Sequence, residues 1–306
     1  MIFRYEYHGG VWIDLEQPTE EELRSITHEF SINSRIEKEL ISPTPTPLVI
    51  SDPDATLLVL HFPTHGTEKG EIGSQEIDIV VGTTFIITVR YEVIAPLYHL
   101  KKQLETQQLV APRALITTEV LFEVLFVHLY TSVRDHINHT ADHLTRIEQE
   151  MFDNHERMTV RSISNIIREF LHMEATLANQ EEPLGRFMDA LSRRKFFKAS
   201  FAERADHILA ERSQASRLIE THRAVAAELR ETNMALLEVR QNEIIKALTL
   251  ITVIVLPLEL IAVIFGIHAP GTPIEGHPNA FWIITGIMFS TVGLMTIYFA
   301  RKRWIS

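Results

Sequence analysis

The sequence predicts an α+β soluble domain followed by one long stalk helix and two transmembrane helices. Two hydrophobic runs near the C-terminus are the first sign. From Ala247 to Phe265 the chain is apolar except for Thr249, Thr252, Pro257 and Glu259, and Ala280 to Ala300 carries no charge. About 20 residues at ~1.5 Å each cross a bilayer's hydrocarbon core, so each run is long enough to span. The second sign is the order of the remainder: strand signals fill residues 1–90 and then give way to helical ones, the pattern of an α+β domain. The third is that neither Gly nor Pro occurs between Phe196 and Pro257, so nothing in that stretch interrupts a helix.

In chain order, Met1 to Leu15 alternates as a strand pair, with Ile2, Arg4 and Glu6 on one side, Phe3, Tyr5 and Tyr7 on the other, and His8-Gly9-Gly10 as the turn before Val11-Trp12-Ile13. Thr19 and Glu22, after Pro18, have the spacing of a capping box and start a helix that runs to about His28. Ser42-Pro43-Thr44-Pro45-Thr46-Pro47 cannot be helical and reads as a hinge or rim loop. Strands around Thr56 to Phe62 and Glu76 to Val81 follow, and the second turns through Gly82-Thr83-Thr84 into Phe85 to Val89 as a hairpin.

Val93 to Leu109, Arg113 to Phe152 and Thr159 to Glu182 read as helices, broken at Ala111-Pro112 and at Glu182-Pro183-Leu184-Gly185. His136, His139 and His143 share one face of the second, a spacing that permits a metal site but is commoner among solvated histidines. From Phe196 apolar residues recur through Phe201, Ala205, Ile208, Leu218, Val225, Leu229, Leu236 and Val239, which predicts one helix of roughly 70 residues reaching Gly266.

Arg240 and Lys246 precede the first span and Arg301, Lys302 and Arg303 follow the second, whereas residues 267–279 between them hold no Lys or Arg. The positive-inside rule therefore puts both termini in the cytoplasm and the loop outside. Asn242, Thr249, Thr252, Leu256, Glu259, Val263 and Gly266 are spaced 7, 3, 4, 3, 4 and 3, which makes one stripe of the first span. Thr in membrane helices often bonds the carbonyl four residues back and does no more. Glu259 is the strongest signal, because a carboxylate at mid-span costs about 2.5–3.5 kcal/mol and neither span offers a basic partner. One two-helix hairpin has no lumen, so a water-lined stripe requires an oligomer.

The net charge of −11 argues against a nucleic-acid partner and suits a surface that concentrates cations. The absence of Cys removes disulfides and Cys-ligated zinc. No Cys nucleophile, Gly-rich phosphate loop, Gly-x-Ser-x-Gly or His-Glu-x-x-His is present, so an enzymatic role is not expected.

Gln241-Asn242-Glu243, Lys246-Ala247-Leu248-Thr249, Pro257-Leu258, Leu260-Ile261-Ala262 and Phe265-Gly266 resemble the first transmembrane helix of the CorA family of divalent-metal transporters, and Arg301-Lys302-Arg303-Trp304-Ile305 is similar to its basic tail. Trp12 to Leu15 and Phe85 to Val89 resemble the family's cytoplasmic α/β domain. The resemblance implies an α/β/α sandwich and a funnel-shaped homopentamer in an inner membrane, passing a divalent cation (Mg, Zn, Co or Ni) along the stripe from Asn242. It implies the division 1–195 (α/β domain with appended helices), 196–246 (stalk), 247–266 (first span), 267–279 (periplasmic loop), 280–300 (second span) and 301–306 (inner basic tail). Where the family ends its helix in Gly-Met-Asn or Gly-Ile-Asn, this chain has Gly266-Ile267-His268, and Glu259 stands where Thr is usual. Imidazole favours zinc, nickel or copper over magnesium, and it titrates near pH 6.5, so a ring of His268 would turn cationic in acid. By the same resemblance Asp206, beside His207, helps hold a regulatory divalent ion between protomers. The altered outer motif sustains a second reading, a nonselective or non-transporting relative acting in envelope homeostasis or partner binding.

Overall fold

The structure, a computed structural model, describes residues 1–64, 73–110, 116–152, 156–194, 197, 200–267 and 278–302. By internal contacts the chain forms two units, Met1–Glu231 and Thr232–Ser306.

The first unit is built on a six-stranded sheet: β1 (Ile2–Tyr7), β2 (Gly10–Glu16), β3 (Leu48–Ser51), β4 (Ala55–Pro63), β5 (Ser74–Gly82) and β6 (Phe85–Arg90), in the spatial order β1-β2-β6-β5-β4-β3. Only β2 and β6 run parallel, with Trp12 opposite Ile86; the other neighbours are antiparallel, and the β5–β6 hairpin predicted across Gly82 forms as read. Side chains alternate between the faces. Val11, Ile13 and Leu15 of β2, Leu57 and Val59 of β4, Val80 of β5 and Phe85, Ile87 and Val89 of β6 share one core with α1 (Glu20–Glu29) and α2 (Ser34–Leu40), through Leu23, Ile26, Ile36 and Leu40. The capping box starts α1 as predicted: the Glu22 amide donates to Thr19 Oγ1 at 3.2 Å and the Thr19 amide to Glu22 Oε2 at 2.9 Å.

The opposite face meets α3 (Ala95–Val110), α4 (Thr118–Phe152) and α5 (Glu156–Ser192), which completes the α/β/α sandwich. Its centre is ionic. Asp14, fully buried, accepts from Thr88 Oγ1 at 2.7 Å, from Arg90 Nη2 at 3.1 Å and from Lys101 Nζ of α3 at 2.5 Å, while Trp12 Nε1 donates to Thr88 Oγ1 at 3.1 Å.

Three readings are corrected. Pro183 does not end a helix: α5 runs through it to Ser192. Proline costs ~3 kcal/mol inside a helix, but continuing buries Leu184, Phe187, Met188 and Leu191, worth about 1.5–3 kcal/mol each, and Asn179, whose carbonyl loses its donor, lines an open cleft. His136 is not a solvated member of a histidine triad; it is 3% exposed and its Nε2 lies 2.8 Å from Glu169 Oε1, which also accepts from Thr140. That pairing, followed by burial acting the other way, holds the Glu169 carboxyl below its ordinary range.

The third concerns α6 (Ser200–Gly266), 67 residues long as the missing Gly and Pro predicted. Its buried side in the first unit is Phe201, Ala205, Ile208, Arg212, Ala215, Ile219, Ala226 and Leu229, a seam of alternating 3 and 4 spacings with His222 filling the gap. Val225 faces outward instead, because a period nearer 3.5 than 3.6 keeps Ala226 on the seam. The seam's Phe201 ring lies 5.9 Å from Phe122, and His222 stacks on Phe170 at 6.0 Å.

The second unit holds the rest of α6 and α7 (Ala280–Arg301). Both are long and apolar enough to cross a membrane, and their most apolar windows are unburied.

Candidate ion pathway in the first span

Along the C-terminal third of α6 the residues that lose solvent are Lys246, Leu250, Ile254, Pro257, Leu258, Ile261 and Phe265. They recur at 3–4 residues and so form one face. Asn242, Thr249, Thr252, Leu256, Glu259 and Val263 are all exposed. At ~100° per residue the stripe is centred roughly opposite the covered face. The sequence places these six side chains in line; the three-dimensional structure adds that the line lies away from the covered face. Its mean spacing is shorter than 3.6, so the stripe drifts around a straight helix as a left-handed supercoil's seam does.

The threonine hydroxyls take the local option: Thr249 Oγ1 donates to the Ile245 carbonyl at 2.8 Å and Thr252 Oγ1 to the Leu248 carbonyl at 2.9 Å. Their oxygens keep acceptor capacity toward the stripe. Glu259 has no hydrogen-bond or ion-pair partner among the described residues. Pro257, on the half-covered side, cannot donate to the Val253 carbonyl. Gly266 ends α6, and a Cβ there would meet nothing within 4 Å, so the chain's own contacts do not require glycine at that position. Ile267 is exposed, whereas His268 and Arg303 lie outside the described residues. Arg301 is exposed at the end of α7, and Lys302 places its ammonium 5.7 Å from the Tyr298 ring centre.

In the first unit Asp206 is exposed on α6 and makes no ion pair among the described residues, which suits it to a hard cation as an oxygen ligand. No group of three or more His, Asp or Glu able to hold a metal occurs among the described residues of one chain. Sequence reasoning missed the ladder beside it. His207 Nδ1 lies 2.8 Å from Glu123 Oε1 and its Nε2 3.6 Å from Glu211 Oε1, while Arg204 pairs with Glu123 and Arg134 with Glu211. Glu123 and Arg134 sit about three turns apart on α4, and Arg204, His207 and Glu211 one turn apart on α6, but nothing local says that the two helices adjoin there.

A large α/β domain ahead of two spans, with an unpartnered carboxylate on one face of the first, defines a two-span membrane protein suited to handling ions. The chain belongs to the CorA-like Mg2+ transporter family, whose model matches residues 7–303. It is 20% identical over 308 residues to the cobalt/magnesium transport protein CorA of Methanocaldococcus jannaschii, covering 98% of this chain and 93% of that one. The complete structure of the Methanocaldococcus jannaschii CorA magnesium transporter superposes with a TM-score of 0.82 at 19% identity, covering 99% of this chain and 94% of the other. The full-length CmaX protein superposes with a TM-score of 0.69 at 17% identity, covering 96% and 89%. The α/β domain, long helix and two C-terminal membrane helices are thus the architecture of a divalent-cation transporter family, as the motifs of the first span implied.

Proposed function

We propose that the chain assembles as a homopentamer in the inner membrane, with both termini cytoplasmic, and passes divalent cations through a pore lined by Asn242, Thr249, Thr252, Leu256, Glu259 and Val263. The observation that carries this is the exposure of the whole stripe on the side of α6 away from its covered face. A carboxylate without a partner does not face lipid, so Glu259 faces water enclosed by further copies. Gly266, Ile267 and His268 form the outer mouth in this reading, and Arg301, Lys302 and Arg303 an inner basic ring. The ion is the substrate, and nothing in the sequence supports an enzymatic step. Mass measurement of the detergent-solubilised protein is expected to give five subunits; a stable monomer would contradict the pore, since one hairpin encloses no lumen.

Asp206 has the regulatory role in the same assembly, with its further ligands supplied by a neighbouring copy and the ion being magnesium or zinc. Asp206→Ala is then expected to weaken severalfold the protection that magnesium gives the α/β domain against proteolysis. Equal protection in both proteins would return Asp206 to the solvated surface.

A further inference from the structure

The histidines of α4 have no part in the proposed ion path. His136 is taken up by Glu169, which leaves His139 and His143, four residues apart and both exposed. That spacing is little more than one helical turn, so the two side chains leave one face with Cβ atoms ~5–6 Å apart. Their ring centres stand 4.5 Å apart, with the planes inclined at 54°.

The separation bears on what the pair can hold. A zinc-like ion lies ~2.1 Å from an imidazole nitrogen and so about 3.2 Å from the ring centre; two rings about 90–109° apart around one ion then have centres roughly 4.5–5.2 Å apart. The observed 4.5 Å falls at the near end of that range. Residues 139 and 143 lie well inside the continuous helix Thr118–Phe152, so closing on an ion takes rotation about side-chain bonds and no change of backbone.

The surroundings carry more negative charge than positive. Asp135 is exposed one turn before His139, Asp142 directly precedes His143, and Glu169 reaches the same face of α4 from α5 through its bonds to His136 and Thr140. Arg146, one turn beyond His143, opposes them. His143 makes no hydrogen bond among the described residues. Partial burial first, then the Arg146 and His139 charges, hold its imidazole below the ordinary value against the pull of Glu169 and Asp142, so the ring is neutral at pH 7 and its lone pair is available.

We propose that His139 and His143 form a surface chelate for a divalent transition-metal ion of the zinc, nickel and copper class, a site apart from both the ion path and Asp206. Neutral imidazole suits that class, whereas magnesium prefers oxygen. The chain supplies two nitrogens; no third His, Asp or Glu completes the set among the described residues, so water fills the remaining positions and the bound ion exchanges. Once one ring holds the ion the other meets it at high effective concentration, which makes the pair a stronger ligand than two separate histidines.

Zinc titration of the full-length protein in detergent, followed by calorimetry with millimolar magnesium present, tests the chelate. A zinc site that magnesium does not displace is expected, and His139→Asn and His143→Asn are each expected to weaken it about tenfold or more and to similar extents, because either leaves one imidazole. Both positions are exposed, so circular dichroism should not change. With copper in place of zinc, the electron paramagnetic resonance signal lost in either variant is expected to show coordination by two imidazole nitrogens. The same differences are expected in a His268→Asn background, which removes the proposed outer mouth from the count, so failure of the chelate and failure of the pore are told apart. Zinc binding unchanged in both variants, lost in only one of them, or displaced by magnesium overturns the proposal.

Discussion

Replacing Glu259 by Gln is expected to lower divalent-cation flux about tenfold for every ion, the equivalent of ~1.4 kcal/mol on the barrier to entry. The side chain keeps its size and loses its charge, so the dimensions of the proposed pore stay while the field that would draw cations into the membrane disappears. Insertion should become easier rather than harder, because the mid-span carboxylate was the costly group. A fall in flux without a fall in expression is therefore the signature, measured with the purified protein in liposomes. Unchanged flux would put Glu259 off the conduction path. His268 is nine residues further along, about 13 Å if the helix were continued, and in the proposed pore acts in series with Glu259. His268→Asn restores an oxygen ligand and is expected to shift the ratio of zinc to magnesium flux toward magnesium, and to abolish any loss of flux as the external pH falls through the imidazole range.

The second large effect is on stability. Asp14→Ala is expected to destabilise the α/β unit by about 3 kcal/mol, because it leaves the nearly buried Lys101 without its carboxylate and the buried Arg90 with Glu16 as its remaining ion-pair partner among the described residues. Thr88 would also lose its acceptor. Chemical unfolding followed by tryptophan fluorescence measures it, with Trp12 reporting from next to the lost group. A change below ~1 kcal/mol would mean that water reaches this part of the sheet–α3 interface.

The parts of this architecture legible in the sequence are those written in local periodicity. The Thr19 capping box, the strand alternation, the uninterrupted α6 and the two spans each depend on residues a few positions apart. What was not legible depends on partners distant in the chain. Helix α2 and β3 are short, and they are held by the core around Ile36, Leu40 and Ile50 rather than by their own propensity. Pro183 was read as a break because its cost is local, while the packing of Leu184 and Phe187 that outweighs it comes from elsewhere. His136 looked exposed until α5 brought Glu169 to it. In the candidate pathway the stripe itself was readable, but its position opposite the covered face was not.

In the proposed assembly the exposed stripe on α6 is a path for divalent cations. Ion flux into liposomes reconstituted with the purified protein tests it most directly, comparing magnesium, zinc, nickel and cobalt with sodium and chloride. Uptake of at least one divalent cation well above sodium and chloride is expected, reduced by Glu259→Gln. Equal passage of sodium, chloride and divalent ions, unaltered by Glu259→Gln or His268→Asn, would contradict it and leave a scaffold that does not select among ions.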